Sequence, residues 1–472
     1  MQQIDDLKLQ AALFPDSDSR RGWDNFLTRE LSNAHERVTS GRVAPRLDLD
    51  TFQQELATFD FDRPQPVDAV LPWTIAQMET GIVQVTHPRY LGLFNPVPTY
   101  PSQCADRITA LFNPQLASAT TSPVPCEIES HTIRAVARRI GLGPKAGGHF
   151  TSGGSEANYT ALICALTQAN PRFATEGARA FAGQPVFYVS RECHLAWLKI
   201  AHQAGIGRDA VRFLDTDGGG RMDCQELADT IRHDCLRGCV PIMIVATAGT
   251  TGGGMIDPLE DCAKIARAEK LWYHVDAAWG GALVASERLR HSLDGIEQAD
   301  SITVDAHKWF ATSMGCGMFL CADPSVLPAA FGLTTSFMPP SARPEFDPYV
   351  TTVLWSRRFL GLRFFMSLAI AGWPGYGEHV EKSVALAALL RSLLVDRGWH
   401  VVNDSALAVL CLEPPTGFTD VRAIVGRVVA SGRAWVSATL FEGRDVLRAC
   451  VTHGETTAED ILAVADALQD AL

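Results

Sequence analysis

Three short stretches carry residues whose chemistry is at odds with their surroundings. In "SITVDAHKWF", residues 301–310, an apolar run ends in His307 and Lys308, where a chain ordinarily turns toward water. An amine partly shielded there can form a Schiff base with an aldehyde. In "YHVDAAWGG" the carboxylate of Asp276 closes another apolar run and small residues follow. Such a group caps the next turn or holds a proton on the ring nitrogen of a ligand. In "TSGGSEANYTAL", residues 151–162, Gly153 and Gly154 precede a good helix former. Glycines let backbone approach a ligand closely, and the free N–H groups of a first helical turn attract an anion such as phosphate. Singly, each has a bland reading: a solvated lysine, a turn cap, an N-capped loop. What changes the reading is their order along the chain, an anion loop, then His194, an aspartate and a lysine.

Other chemistries are excluded or disfavoured. No Lys-Ser or Lys-Thr follows the glycines, so a Walker-type loop is excluded, and "TDGGGR" and "GTTGGG" lack the dinucleotide spacing. His233, Cys235 and Cys239 sit on what reads as a helix end without a second ligand pair, so no metal is implied. A net charge of -12 over 472 residues, with no basic run longer than a pair, makes nucleic acid an unexpected partner. No uninterrupted apolar stretch reaches the roughly 18 residues of a membrane span, so no membrane is expected. The start "MQQIDDLKLQAALFPDSDSR" lacks the pattern of a signal peptide, and twelve cysteines scattered singly suit a reducing compartment. A cytoplasmic protein is expected.

The elements that must position these residues are legible from about residue 150 onward, where β-rich runs alternate with helical patterns, the mark of a mostly parallel sheet covered by helices. Strands are read at "PVFYVS", "AVRFLDTD", "PIMIVATAG", "LWYHVDAA", "SITVDA" and "GCGMFLCA". Helices are read at "HLAWLKIAHQAG", at "MDCQELADTIRHDCL" with Asp223 and Glu226 as a capping box, and at "DPLEDCAKIARAEK" with Asp257 as N-cap and Pro258 in first position. Asp276 and Lys308 thereby fall at the carboxyl ends of strands, where ligands gather in open α/β sheets. Residues 331–349 hold Pro339, Pro340, Pro344 and Pro348 and no periodicity, a long loop of the kind that forms lids. Beyond Trp355, "RRFLGLRFFMSLAIAG" reads as a helix that "GWPGYG" interrupts, and 378–472 as a small α+β unit. The first hundred residues read as helix over 47–59 and as proline-rich loop through "HPRYLGLFNPVPTYPS".

The stretches "TSGGSEAN", "ECHLAW", "TAGTTGGGMIDPL", "HVDAAWGG" and "DAHKW" resemble the pyridoxal-phosphate-dependent group II amino acid decarboxylases, the family of aromatic amino acid and glutamate decarboxylases. "HPRYLGLFNPVPTYPSQCADRI" and "WSRRFLGLRFF" match as well, so the resemblance runs from about Pro88 to the C-terminus. It implies the aspartate aminotransferase (type I) fold of PLP-dependent transferases, an α/β architecture with a mostly parallel seven-stranded central sheet and a small C-terminal α+β domain. By the same resemblance Lys308 is the Schiff-base lysine, Asp276 the partner of the pyridine nitrogen, His194 the imidazole stacked over the ring and Ala278 the small residue beneath it. Gly154 and Ser155 are phosphate ligands with Asp305 and His307 near the same group, and Thr251 lies close to the ring and the substrate carboxylate. Phe94 and Asn95 line the substrate pocket, and Arg448 approaches the active site. Tyr349 is the candidate acid that protonates Cα, on a loop that relatives often supply from the partner subunit. The sequence departs from the family in one place: many members carry asparagine where Asp305 stands.

The implied activity is decarboxylation of an L-amino acid to CO2 and an amine, through a Schiff base at Lys308 and a quinonoid intermediate, in a homodimer with active sites at the interface. Residues 1–100 are expected as a helical segment packing on the dimer partner, 101–375 as the large cofactor-binding domain and 376–472 as the small domain. Relatives with phenylalanine at the acid position release an aldehyde in an oxygen-dependent reaction, and Phe346 near Tyr349 keeps that alternative open beside a non-catalytic binding protein. Arg89 and Arg448 are the residues that could recognise a second carboxylate, and no substrate class is preferred.

Overall fold

The structure is a computed structural model that describes residues 10–338, 341 and 347–472. Phe346, Pro339, Pro340 and Pro344 lie outside the described residues. The seven strands of the central sheet are β1 (Gly147–Thr151), β2 (Pro185–Ser190), β3 (Val211–Leu214), β4 (Val240–Thr247), β5 (Trp272–Asp276), β6 (Ser301–Asp305) and β7 (Gly317–Cys321). They lie in the order β1-β7-β6-β5-β4-β2-β3, and every neighbouring pair is parallel except those made by β7. Strands covered on both faces must be apolar throughout, and β2, β6 and β7 are buried along their whole length.

Alternation along β4 shows the two layers directly. Met243 and Val245 pack with Leu162 and Leu166 of the helix Gly154–Ala169, whereas Ile244 and Ala246 pack with Leu227 and Leu259 of helices Cys224–Leu236 and Leu259–Glu269. In chain order the principal helices are α1 (Ser17–Ser40), α2 (Leu49–Leu56), α3 (Val67–Gly81), α4 (Tyr100–Phe112), α5 (Pro123–Ile140), α6 (Gly154–Ala169), α7 (Ala196–Gln203), α8 (Cys224–Leu236) and α9 (Leu259–Glu269). They are followed by α10 (Leu362–Val395), α11 (Val421–Ser431) and α12 (Ala458–Gln469). Helix α10 leads to a four-stranded antiparallel sheet of β8 (His400–Val401), β9 (Val409–Glu413), β10 (Ser437–Phe441) and β11 (Arg444–Cys450), in the order β10-β11-β9-β8. Strands β10 and β11 are joined by Glu442 and Gly443, both at positive φ (49° and 73°), the backbone that a two-residue hairpin turn requires.

Several local expectations are corrected. The sequence pattern does not mark β1, because glycines open it: a Cβ on Gly148 would stand 2.0 Å from the carbonyl oxygen of Phe319, so only glycine allows β7 that close. Asp257 is not the N-cap of α9. Pro258 occupies the cap position, while Asp257 is buried and accepts the N–H groups of Thr247 and Met222, each at 2.7 Å. Asp223 does cap α8, but Glu226 accepts the N–H of Asp215 and closes no capping box. The helix expected from Arg357 starts at Leu362, since Arg357 is drawn into a buried ion pair with Glu129 at 2.6 Å. "GWPGYG" does interrupt the helical run as expected: Gly372 (φ 63°, ψ 177°) is non-helical, so α10 is two helices joined across a kink. Helices α1, α3, α4 and α5 add to the single N-terminal helix expected, and α4 begins inside the stretch read as loop. No described helix is long and apolar enough to cross a membrane, and all twelve cysteines are free thiols.

Candidate active site

The carboxyl ends of β4, β5 and β6 and the turn between β1 and α6 surround a cavity of about 320 Å³. Its wall includes Gly154, Ser155, His194, Thr251, Asp276, Ala278, Asp305, His307, Lys308 and Phe94. The larger groove, about 610 Å³ between Met255–Asp261 and Asp404–Ala406, is lined by carboxylates and has no lysine or histidine. Chemistry that needs an amine and an imidazole belongs to the smaller cavity.

Lys308 sits in the turn that follows β6, its N–H donating to the Asp305 carbonyl at 3.1 Å and its own carbonyl accepting from Ala311 at 2.9 Å. The Nζ lies 3.1 Å from Oδ2 of the buried Asp305, and the side chain is 23% exposed, enough to be reached from the cavity. Asp276 ends β5 and is almost fully buried, with Oδ1 accepting the N–H of Ala278 at 3.2 Å and Oδ2 accepting the Asn158 amide at 2.8 Å. At the start of α6 a Cβ on Gly154 would stand 2.9 Å from Oδ2 of Asp305, so glycine is what lets the turn come this near. Glu156 locks the turn by accepting the Ser152 N–H and hydroxyl at 2.8 and 2.7 Å.

His194 stands between β2 and α7, with its Nδ1 accepting the Ala196 N–H at 3.1 Å, which places a neutral ring's proton on Nε2. Desolvation by the surrounding wall lowers its pKa and Lys308 adds to this, while the Asp276 and Asp305 carboxylates oppose it. The ring is therefore a neutral face at neutral pH. His307 is anchored through Nδ1 to the Cys316 backbone, with Nε2 3.8 Å from Asp305 Oδ2. On the outer side Phe94 stacks on Trp279 at 4.5 Å, and Trp279 leans on Trp309 at 5.3 Å.

Three expected site residues stay off this wall. Arg448 lies behind it, donating to the carbonyls of Thr251 (2.5 Å) and Gly92 (3.2 Å) and to the Ser437 hydroxyl (3.1 Å), with its guanidinium 5.3 Å from the Phe94 ring. Asn95 is half-buried next to Phe94 and does not line the cavity. Tyr349 packs its ring on Trp355 at 5.0 Å, and its N–H donates to the Ala117 carbonyl. Arg89 is engaged by Asp460 at 3.6 Å. Asn158, Thr247 and Trp279 are on the wall and were not expected. Of these only Thr247 had a strand signal, a polar residue ending the otherwise apolar β4, while Asn158 is a polar residue of a helix and Trp279 follows β5.

The cavity suits a polar, phosphorylated ring. Four of its residues carry a buried polar atom without a protein partner: Thr247 Oγ1, Glu156 Oε1, Trp279 Nε1 and Asp305 Oδ1. Buried polar atoms are ordinarily satisfied, so such a concentration marks a place where a ligand completes the bonding. A lysine amine, an ionisable carboxylate and a helix N-terminus also meet here, matching an aldehyde, a ring nitrogen and a phosphate. Residues 56–413 match the profile of the pyridoxal-dependent decarboxylase conserved domain.

The chain belongs to that family. It is a group II pyridoxal-phosphate-dependent amino acid decarboxylase, a carboxy-lyase, and pyridoxal phosphate is its cofactor. It is 28% identical over 429 residues to tyrosine decarboxylase 2 of Narcissus pseudonarcissus, which covers 87% of this chain and 85% of that protein. It is 30% identical over 334 residues to acidic amino acid decarboxylase GADL1 of Xenopus tropicalis, covering 70% of this chain and 65% of that one. The solved structure of Oryza sativa TDC with PLP and tryptamine superposes with a TM-score of 0.90 at 23% identity, covering 97% and 98% of the two chains. That likeness is one of fold, and the fold of this decarboxylase is the type I PLP-dependent one.

Proposed function

We propose that this decarboxylase removes the α-carboxylate of an L-amino acid as CO2 and releases the amine, working as a homodimer with Lys308 as the residue that binds the cofactor's aldehyde. The observation that carries this reading is the convergence of the Lys308 amine, the Asp276 carboxylate and the Gly153–Gly154 turn on one cavity. Bound there, the cofactor supplies a protonated pyridine ring that takes up the electron pair left at Cα when CO2 departs.

The chain's own residues do the rest. Asp276 would hold the proton at the ring nitrogen, and His194 and Ala278 would bound the space the ring occupies. Gly154, Ser155 and the first turn of α6 hold the phosphate, with His307 and Asp305 beside it. Thr251, Phe94 and Trp279 line the cavity and would exclude water and orient the substrate carboxylate for departure, a positioning effect of several kcal/mol. Tyr349 delivers the proton to Cα in the partner's cavity, a role consistent with its position off the wall of its own. Large apolar side chains left exposed on α4 and α5, Tyr100, Leu111, Phe112 and Val124, support the homodimer. In this reading residues 1–100 pack on the partner, 101–375 bind the cofactor and 376–472 form the small domain. The free cysteines suit a cytoplasmic location.

The test is incubation of cofactor-loaded protein with a panel of L-amino acids, following CO2 and the mass of the organic product with and without oxygen. CO2 with the matching amine supports the reading and names the substrate. CO2 with an aldehyde only under oxygen replaces it by oxidative deamination, and absence of CO2 from every amino acid rejects it.

A further inference from the structure

Behind Asp276 lies a chain of buried polar side chains that nothing in the reaction above uses. Alternation along β5 points Trp272, His274 and Asp276 to one face, and Ser301 and Thr303 on β6 stand directly opposite His274 and Asp276. Asn158 of α6 covers that face. His274, Ser301 and Thr303 are fully buried and Asn158 nearly so. Apolar residues at these positions would pack the sheet at a lower desolvation cost, so the network calls for a purpose beyond packing.

The polarity of each link follows from donor and acceptor rules. Asp276 Oδ2 accepts here, with Asn158 presenting its amide Nδ2 to it at 2.8 Å and keeping Oδ1 as an acceptor. That oxygen takes the Thr303 hydroxyl at 2.6 Å and His274 Nε2 at 3.0 Å, so the imidazole proton is on Nε2. Burial pushes His274 down to about 4, which leaves the ring neutral and Nδ1 bare. Nδ1 accepts the Ser301 hydroxyl at 2.8 Å, and the Ser301 oxygen in turn accepts the Trp272 indole N–H at 2.8 Å. Every donor points toward Asp276.

We propose that Asn158, His274, Thr303, Ser301 and Trp272 are positioning residues forming a one-way hydrogen-bond relay into Asp276, which fixes its carboxylate and aims it into the cavity so that it holds the proton on the cofactor's ring nitrogen. The relay rests on the reading of Asp276 as the partner of that nitrogen. It explains why a helix residue and two strands are tied together by neutral polar groups in the driest part of the sheet. A single tautomer of His274 is what gives the whole chain one direction.

The experiment loads the full-length protein with pyridoxal phosphate carrying nitrogen-15 in the ring and records the nitrogen signal near neutral pH, with cofactor affinity measured by absorbance titration. Asn158→Leu is expected to shift the signal toward that of an unprotonated ring and to weaken cofactor binding about ten- to a hundredfold, as loss of a hydrogen bond to a charged group does. Ser301→Ala, which deletes one hydroxyl and releases the His274 tautomer, is expected to act in the same direction by about two- to fivefold. If Asn158→Leu does not fold, Ser301→Ala decides alone. Asp276→Asn, run in parallel, separates the two ideas. If it leaves the ring nitrogen protonated, the reading of Asp276 falls. If it removes the proton while folded Asn158→Leu and Ser301→Ala keep the wild-type signal and affinity, the relay is overturned.

Discussion

The inner wall of the cavity, where β5 and β6 end, and the outer wall, where Phe94 and Thr251 meet Arg448, are held in unlike ways. Inside, Asp276 and Thr303 stand opposite each other in a fixed register on β5 and β6, and Asn158 of α6 bonds to both side chains. Outside, one guanidinium reaches the backbone carbonyls of Thr251 and Gly92, which lie 197 and 356 residues away in the chain. A ladder register tolerates little displacement, so the inner wall suits a cofactor whose geometry never varies. Loops braced at a few points can change shape without disturbing the sheet, which suits the side that meets a substrate.

The comparison breaks first at Lys308. Lys308→Ala should leave the circular dichroism spectrum unchanged and lower turnover by roughly a thousandfold or more, the scale seen when a covalent catalyst is removed. Retained activity would mean that the inner wall is scaffold and nothing else.

Arg448→Met tests the outer wall. It leaves the Thr251 and Gly92 carbonyls without their donor and removes the cation above Phe94. The expected result is a loss of about tenfold to a hundredfold in kcat/KM, mostly through KM, with cofactor affinity unchanged. Equal losses in cofactor affinity and kcat/KM would show that the walls are one mechanical unit.

The same contrast explains what the sequence made legible. Lys308, Asp276 and the Gly153–Gly154 turn are each local: a strand end or a strand-to-helix turn within a dozen residues, which patterning and composition reveal. Arg448 was expected at the site, yet its role as a brace for two distant carbonyls depends on the tertiary fold and has no local signature. Asn158 reads as an ordinary polar residue of a helix, because its partners Asp276, His274 and Thr303 are more than a hundred residues on. Asp257 follows the rule for an N-cap and is diverted by two backbone N–H groups, one from the end of β4 and one just before α8, that offer it a buried site. β1 escapes patterning because close approach to β7 demands glycine where a strand usually carries branched residues.

A smaller effect is expected from Asp305, the inner-wall residue that departs from the family's asparagine. Its Oδ2 holds Lys308 at 3.1 Å, while Oδ1 is buried without a partner beside the Gly154 turn. A carboxylate there opposes a phosphate. Asp305→Asn should therefore raise the preference for pyridoxal phosphate over unphosphorylated pyridoxal, as the ratio of their dissociation constants, by about fivefold, or ~1 kcal/mol of relieved repulsion. A ratio that stays level or falls would place the phosphate away from this corner.

The last effect falls on stability rather than on binding or turnover and belongs to Asp257, which accepts the Thr247 N–H at the end of β4 from behind the cavity. Burial pushes its carboxyl up to about 7, against the pull of the Thr247 and Met222 N–H groups. With its ordinary value at 3.8, the folded protein holds this proton between about pH 4 and 7 while the unfolded chain has lost it. The stability this group contributes is thus present in full below about pH 4 and is lost as pH rises through about 7. Asp257→Asn cannot titrate, and it leaves one of the two N–H groups poorly matched at every pH, a cost of about 1–3 kcal/mol. Thermal melting of both proteins from pH 5 to 8 should therefore show the wild-type advantage shrinking as pH rises. An advantage that widens toward pH 8 would mean that the carboxylate is ionised throughout, with the two N–H groups outweighing burial, and that the end of β4 rests on a buried charge.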